Sequence, residues 1–134
     1  FRYFSEKIKH FQAFPVFPVN NEDGSHRIEG IGDSFVPEIL SLDELGKTIK
    51  VTDSDAIAVA RMINKKGLSV GISSGANLFA AAKKANELKQ DSTVVTILCD
   101  DNKKYLSTDL CSKTKEKLSC DFQIVDYELI CWNI

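Results

Sequence analysis

Gly71-Ile72-Ser73-Ser74-Gly75-Ala76 sets two hydroxyls among small residues, where a short apolar run gives way to an Ala-rich stretch. A helix beginning there would point free backbone N–H groups and a partial positive charge outward, which attract anions and polar ligand atoms. The same residues equally suit a plain helix cap by Ser73 or Ser74, and spacing alone favours the cap. The segment also spells G-x-S-x-G with Ser73 central. A hydrolase of that type carries its histidine after the nucleophile, and His10 and His26 both precede Ser73, so this reading is poor.

Two other stretches carry polar chemistry. Gly30-Ile31-Gly32 follows His26-Arg27-Ile28-Glu29 but lacks the third glycine of a phosphate-binding loop, so by itself it reads as a surface loop. Cys99-Asp100-Asp101-Asn102-Lys103-Lys104-Tyr105 follows the most apolar run of the chain. Ligands of open α/β sheets gather beyond the carboxyl ends of strands, although Asp101 to Lys104 read better as a solvated turn. Cys99, Cys111, Cys120 and Cys131 form no C-x-x-C pair and lie far from both histidines, which leaves a zinc site unsupported. A buried, reduced thiol is the plain expectation for Cys99, and with it a reducing, cytoplasmic compartment.

The elements that must position these groups alternate between strand and helix patterns. Phe1, Phe4, Ile8 and Phe11 have helical spacing, and Phe14 to Val19 is β-prone but holds two prolines, which confines it to a sheet edge or to strand ends. Lys47 to Val51 reads as a strand. Thr52 or Asp53 then caps a helix with Ala56, Val59, Ala60 and Ile63 on its buried stripe, and Gly67 closes it. A second helix is expected from about Ala76 to Lys89. Thr93 to Cys99 looks like a strand covered on both faces, and Phe122 to Tyr127 like a last one. Alternation of this kind argues an α/β fold, an open and mainly parallel sheet flanked by helices.

The 134 residues fit one domain, 1–134, with 43% hydrophobic and 27% charged residues. Lys and Arg number 17 against 19 Asp and Glu, so there is no basic excess for nucleic acid. No apolar run approaches the ~18 residues of a membrane span. The chain opens on Phe1 within an amphipathic pattern, which reads as a cut through a longer polypeptide.

Taken together and in order, several blocks resemble the cysteine synthase family, fold-type II enzymes that use pyridoxal phosphate. They are His26 to Gly32 with Phe35-Val36-Pro37, then Val51-Thr52-Asp53 leading to Ala60-Arg61, then Gly67 to Ala76, and Lys104-Tyr105-Leu106-Ser107-Thr108. The resemblance runs from Phe1 to about Asp109 and leaves residues 110–134 as an unmatched tail. It implies that Ser73 faces the pyridine nitrogen of the cofactor, with Gly71 and Cys99 beside it. A neutral hydroxyl there leaves that nitrogen largely unprotonated, which suits β-elimination and replacement. Cys99 stands where the family usually has proline. The resemblance also makes Gly30, Ile31 and Gly32 the loop on the substrate side.

The family's Schiff-base lysine, its substrate-carboxylate loop and its phosphate-gripping glycine loop have no counterpart here, so the resemblance implies one wall of an active site. The expectation is a part of a β-replacement enzyme that makes cysteine from O-acetylserine and sulfide, a homodimer when whole, and inactive as this chain alone. Cystathionine β-synthase or another amino-acid β-replacement enzyme is the nearest alternative within the family. A non-catalytic, partner-binding relative is the alternative from another class, motivated by Cys99 and the tail. The terminal Ile134 could imitate a partner's C-terminal isoleucine, but a chance ending is the simpler account.

Overall fold

The computed structural model describes residues 13–19, 25–32, 36, 38, 40–89, 91–121, 124–126 and 128. The helical spacing of Phe1 to Phe11 lies outside them. Two short strands, β1 (Val16–Pro18) and β2 (Ile49–Val51), pair in parallel with Val16 opposite Ile49 and Pro18 opposite Val51. Proline is tolerated because of where it falls. Pro15 lies just outside β1 and contributes only its carbonyl, accepting from Ile49 N at 2.9 Å, while Pro18 closes the strand.

Helix α1 (Asp53–Lys65) starts where the sequence predicts: the Thr52 side chain accepts from Asp55 N, and acidic Asp53 and Asp55 occupy the first turn. Gly67, at φ +96°, takes the left-handed turn beyond its end. Helix α2 (Ile72–Glu87) begins four residues earlier than the Ala-rich pattern suggests. Its N-cap is Gly71, with no side-chain capping bond. Ser73 and Ser74 therefore lie inside the first turn, and the expectation that either caps the helix is corrected.

The two helices pack closely on each other, and α2 also packs on β2. Ala56, Ile57, Val59, Ala60 and Ile63 of α1 meet Ile72, Ala76, Phe79 and Ala80 of α2, with Ile28, Val51 and Val70 completing the centre. The crossing is tight at Gly75, where a Cβ would stand 2.1 Å from the Ala56 carbonyl oxygen. Residues 93–99 do not form the expected strand. They have no ladder partner among the described residues, and Val95 and Ile97 are 84% and 70% exposed. Their apolar character is that of a sheet interior, but no neighbouring strand covers them here. Ile124 to Asp126 is likewise not a strand; the remainder of that expected element lies partly outside the described residues.

Past Cys99 the chain makes two 3-10 turns, Asn102–Tyr105 and Asp109–Cys111. The first is a solvated turn capped by the Asp101 carboxylate, which accepts from Lys103 N at 2.8 Å. No helix among the described residues is long and apolar enough to cross a membrane.

Candidate functional site

The N-terminus of α2 gathers the groups singled out from the sequence. Gly71 N donates to the Asp100 carbonyl at 3.0 Å, and Cys99 N donates to Ser74 Oγ at 2.9 Å. Ser74, fully buried, thus ties the 99–100 segment to the first turn of α2. Ser73 is 5% exposed; no hydrogen bond joins its hydroxyl to a described residue, and the hydroxyl is not fully buried, so it keeps some access to solvent. A nearly buried hydroxyl left without a partner retains its full capacity to donate to a ligand. The 99–100 segment is therefore bonded to Gly71 and Ser74, on either side of Ser73 in the chain. Cys99 itself is exposed, not buried, and is a free thiol like Cys111 and Cys120.

Gly71 is required by close approach. A Cβ there would meet Asp100 Oδ1 at 2.2 Å and Tyr105 Cε2 at 2.6 Å. Tyr105, 5% exposed, donates its hydroxyl to Asp100 Oδ2 at 2.7 Å. Burial, and then the hydrogen bond and charge of Asp100, push the Tyr105 hydroxyl up to about 12. It stays protonated and holds the 100–105 turn against the start of α2. Asp100 Oδ1 is buried without a hydrogen-bond partner among the described residues, pressed towards the Gly71 backbone.

The Gly30-Ile31-Gly32 loop follows Glu29, which with His26, Arg27, Ile72, Ser107, Thr108 and Asp109 lines a cleft of about 300 Å³; the three loop residues themselves do not line it. Ser73 does not line this cleft, although its neighbour Ile72 does. Gly30 and Gly32 have φ of +80° and +79°, conformations that favour glycine. Around Gly30 there is open space, whereas a Cβ on Gly32 would strike Pro18 at 2.8 Å.

Sequence reasoning did not find the polar network behind this loop. Arg27 N donates to Asp53 Oδ1 at 2.9 Å, and its guanidinium reaches Asp53 Oδ2 at 3.3 Å, Asp109 Oδ2 at 2.7 Å and Glu116 Oε1 at 2.9 Å. Ser54 Oγ donates to Glu116 Oε2 at 2.8 Å. The Arg27 and Ser54 hydrogen bonds hold the Glu116 carboxyl below its ordinary value against the opposing effect of burial. Arg27 is correspondingly raised, chiefly by Glu116 and then Asp109. The only signal in the sequence was an acidic pair at the start of α1, the Asp53 and Asp55 of a dipole-matched first turn. Among the described residues no cluster of His, Cys, Asp or Glu could hold a metal ion.

A cysteine synthase B of Campylobacter jejuni is 43% identical over 111 residues, covering 78% of this chain and 37% of the relative. A hydrogen sulfide-producing enzyme of Fusobacterium nucleatum matches with a TM-score of 0.77 and 42% identity, over 88% of this chain and 37% of that one. An O-acetylserine-dependent cystathionine β-synthase of Helicobacter pylori matches with a TM-score of 0.70 and 34% identity, over 81% of this chain and 38% of that one. The chain thus spans little more than a third of the length of these relatives. Its architecture is that of their open parallel sheet with flanking helices. The family model for pyridoxal-phosphate-dependent enzymes matches residues 6–100, and the chain belongs to that family.

Proposed function

We propose that this chain supplies one wall of the cofactor site in a cysteine synthase-like enzyme, which replaces the β-substituent of O-acetylserine with sulfide. The observation that carries the reading is the Ser73 hydroxyl, nearly buried in the first turn of α2 and unpartnered among the described residues. Such a hydroxyl fits a ring nitrogen that needs one neutral donor. Gly71, Ser73 and the Cys99 segment would hold the pyridine end of the group.

Pyridoxal phosphate, when bound, delocalises the electron pair left when the Cα–H bond of an amino acid breaks, and so allows the β-substituent to leave and be replaced. This chain's residues contribute position and protonation. Ser73 offers a neutral hydroxyl, not a carboxylate, and so favours an unprotonated ring nitrogen. Ser74 and Tyr105 fix the segment beside it, through Cys99 N and Asp100. The loop at Gly30 to Gly32 faces the amino-acid substrate.

The reading extends to a cytoplasmic enzyme that is a homodimer when whole. Cystathionine synthesis from O-acetylserine is the second reading, supported by the Helicobacter pylori relative. The 134-residue chain holds one wall only and is inactive by itself. Two measurements test this. Added pyridoxal phosphate leaves the isolated chain without the visible absorption band of a bound cofactor, whereas appearance of that band overturns the one-wall assignment. In the longer protein that supplies the remaining length of such relatives, Ser73→Ala shifts that band and lowers cysteine formation. An unchanged spectrum and rate in Ser73→Ala would remove Ser73 from the site.

A further inference from the structure

Residues 109–119 cross the outer side of α1 and are fastened to it at three places. Arg61 donates from Nε to the Leu110 carbonyl at 3.0 Å and from Nη2 to Ser112 Oγ at 3.1 Å, and also reaches the carbonyls of Asp109 and Thr114. Buried Asp55 accepts from Ser119 N at 2.7 Å and from Ser119 Oγ at 2.9 Å. Glu116 accepts from Ser54 and from Arg27.

Only the third fastening reaches the glycine loop. Arg27 precedes it directly, with Ile28, fully buried, as the anchor between them. Beyond that anchor Glu29, Gly30 and Gly32 are exposed. One guanidinium faces three carboxylates, and those of Asp53 and Glu116 are only 5% and 7% exposed. A buried carboxylate such as that of Glu116 needs counter-charge, so moving the guanidinium away carries a cost. Its backbone N–H is fixed by the same Asp53, so side chain and main chain are held together at the entry to the loop.

We propose that Arg27 is a positioning residue for the Gly30–Gly32 loop, and that the 109–119 segment, through Glu116 and Asp109, is the clamp that keeps Arg27 in place. Clamped, the loop holds one setting of the cleft between Glu29 and Ile72, and an amino-acid ligand finds that wall already formed. Released, the two left-handed glycines allow the loop to swing. The direction of the loop toward an amino acid rests on the proposed function; the clamp itself does not.

Hydrogen exchange on the 134-residue chain tests the clamp without any cofactor. Glu116→Gln keeps the shape of the side chain and removes its charge, and Arg27→Lys keeps a charge but loses the forked geometry. Both variants should speed exchange of the Arg27 amide, which donates to Asp53 Oδ1 at 2.9 Å, by about tenfold or more, and should speed cleavage after Glu29 by a glutamate-specific protease by a similar factor, while the central amides of α1 and α2 stay within about twofold of the parent. Unchanged cleavage after Glu29 overturns the proposal, and so does a uniform rise in exchange across the helices, which would mark a general structural role. Arg27→Met goes further and leaves three carboxylates facing one another. If it fails to fold, the two milder variants still decide. In the longer protein, Glu116→Gln should raise KM for the amino acid by several-fold with kcat nearly unchanged. Equal loss in both parameters, or no change in KM, counts against positioning. If the parent shows no β-replacement activity, the proposed function fails, and the exchange result judges the clamp independently.

Discussion

Replacing Gly75 by alanine puts one methyl group into the crossing of α1 and α2. The new Cβ would stand 2.1 Å from the Ala56 carbonyl oxygen and 2.8 Å from both Cβ and N of Ala60. Two of those three atoms are backbone, so no rotamer change can relieve the contact. Ordinary contact starts near 3.4 Å, and 3.4 − 2.1 leaves 1.3 Å for the helices to separate. Overpacking of this kind costs about 3 kcal/mol when a helix must move. Alanine returns about 1 kcal/mol through its better helix propensity. The net loss is about 2 kcal/mol. For a chain of this size it lowers the melting temperature by roughly 6–10 °C. Thermal unfolding followed by far-ultraviolet circular dichroism reads it directly. Gly30→Ala is the control: its Cβ meets nothing within 4 Å, and its only cost is the left-handed backbone at φ +80°, about 1–2 kcal/mol. If Gly75→Ala melts within about 2 °C of the parent, the close helix crossing is not real and the packing argument fails.

Two titrations follow from the charged and buried groups. Tyr105 carries a raised pKa, so the folded chain holds that proton more tightly than the unfolded one. Its contribution is complete below the ordinary tyrosine value of about 10, and is lost as pH rises from there through about 12. Phenolate absorbance should include a late-titrating step that Tyr105→Phe removes; a late part of the curve left unchanged by the substitution refutes the assignment. Glu116 has the opposite sign. Its carboxyl is held low, so its contribution is present above the ordinary glutamate value and lost as pH falls through the folded one. Acid unfolding of Glu116→Gln should therefore lack part of the stability loss seen in the parent, and identical acid profiles would refute the Arg27 pairing.

Local signals in the sequence placed most of the elements. Thr52, the acidic first turn and Gly67 fix α1 because capping and left-handed turns act within a few residues. The start of α2 was misjudged for an equally local reason. Ser73 and Ser74 are good caps in isolation, but Gly71 is the residue whose backbone can lie against Asp100 and Tyr105, so the helix begins from it. Thr93 to Cys99 was misjudged for a non-local one: a strand exists only with a partner, and an apolar run cannot report whether a neighbour lies alongside. The order of short blocks drew attention to Gly71, Ser73 and Cys99, and the contacts across the start of α2 run from Cys99 to Ser74 and from Gly71 to Asp100. The Arg27 network was illegible because Glu116 is separated from Arg27 by 89 positions, and nothing in either residue's surroundings names the other.

That separation has a consequence for how the molecule assembles. Helices α1 and α2 are joined by residues 66–71 alone, so their packing needs only a short loop to close. Bringing Glu116 to Arg27 closes a far longer one, at an added entropic cost of about 2 kcal/mol. The helical hairpin is thus expected to collapse first and the ion pair to be the last stitch, drawn only after residue 116 has left the ribosome. Pulse-labelled refolding would record it as late protection at Arg27 and Ser119, after α1 and α2 are already shielded.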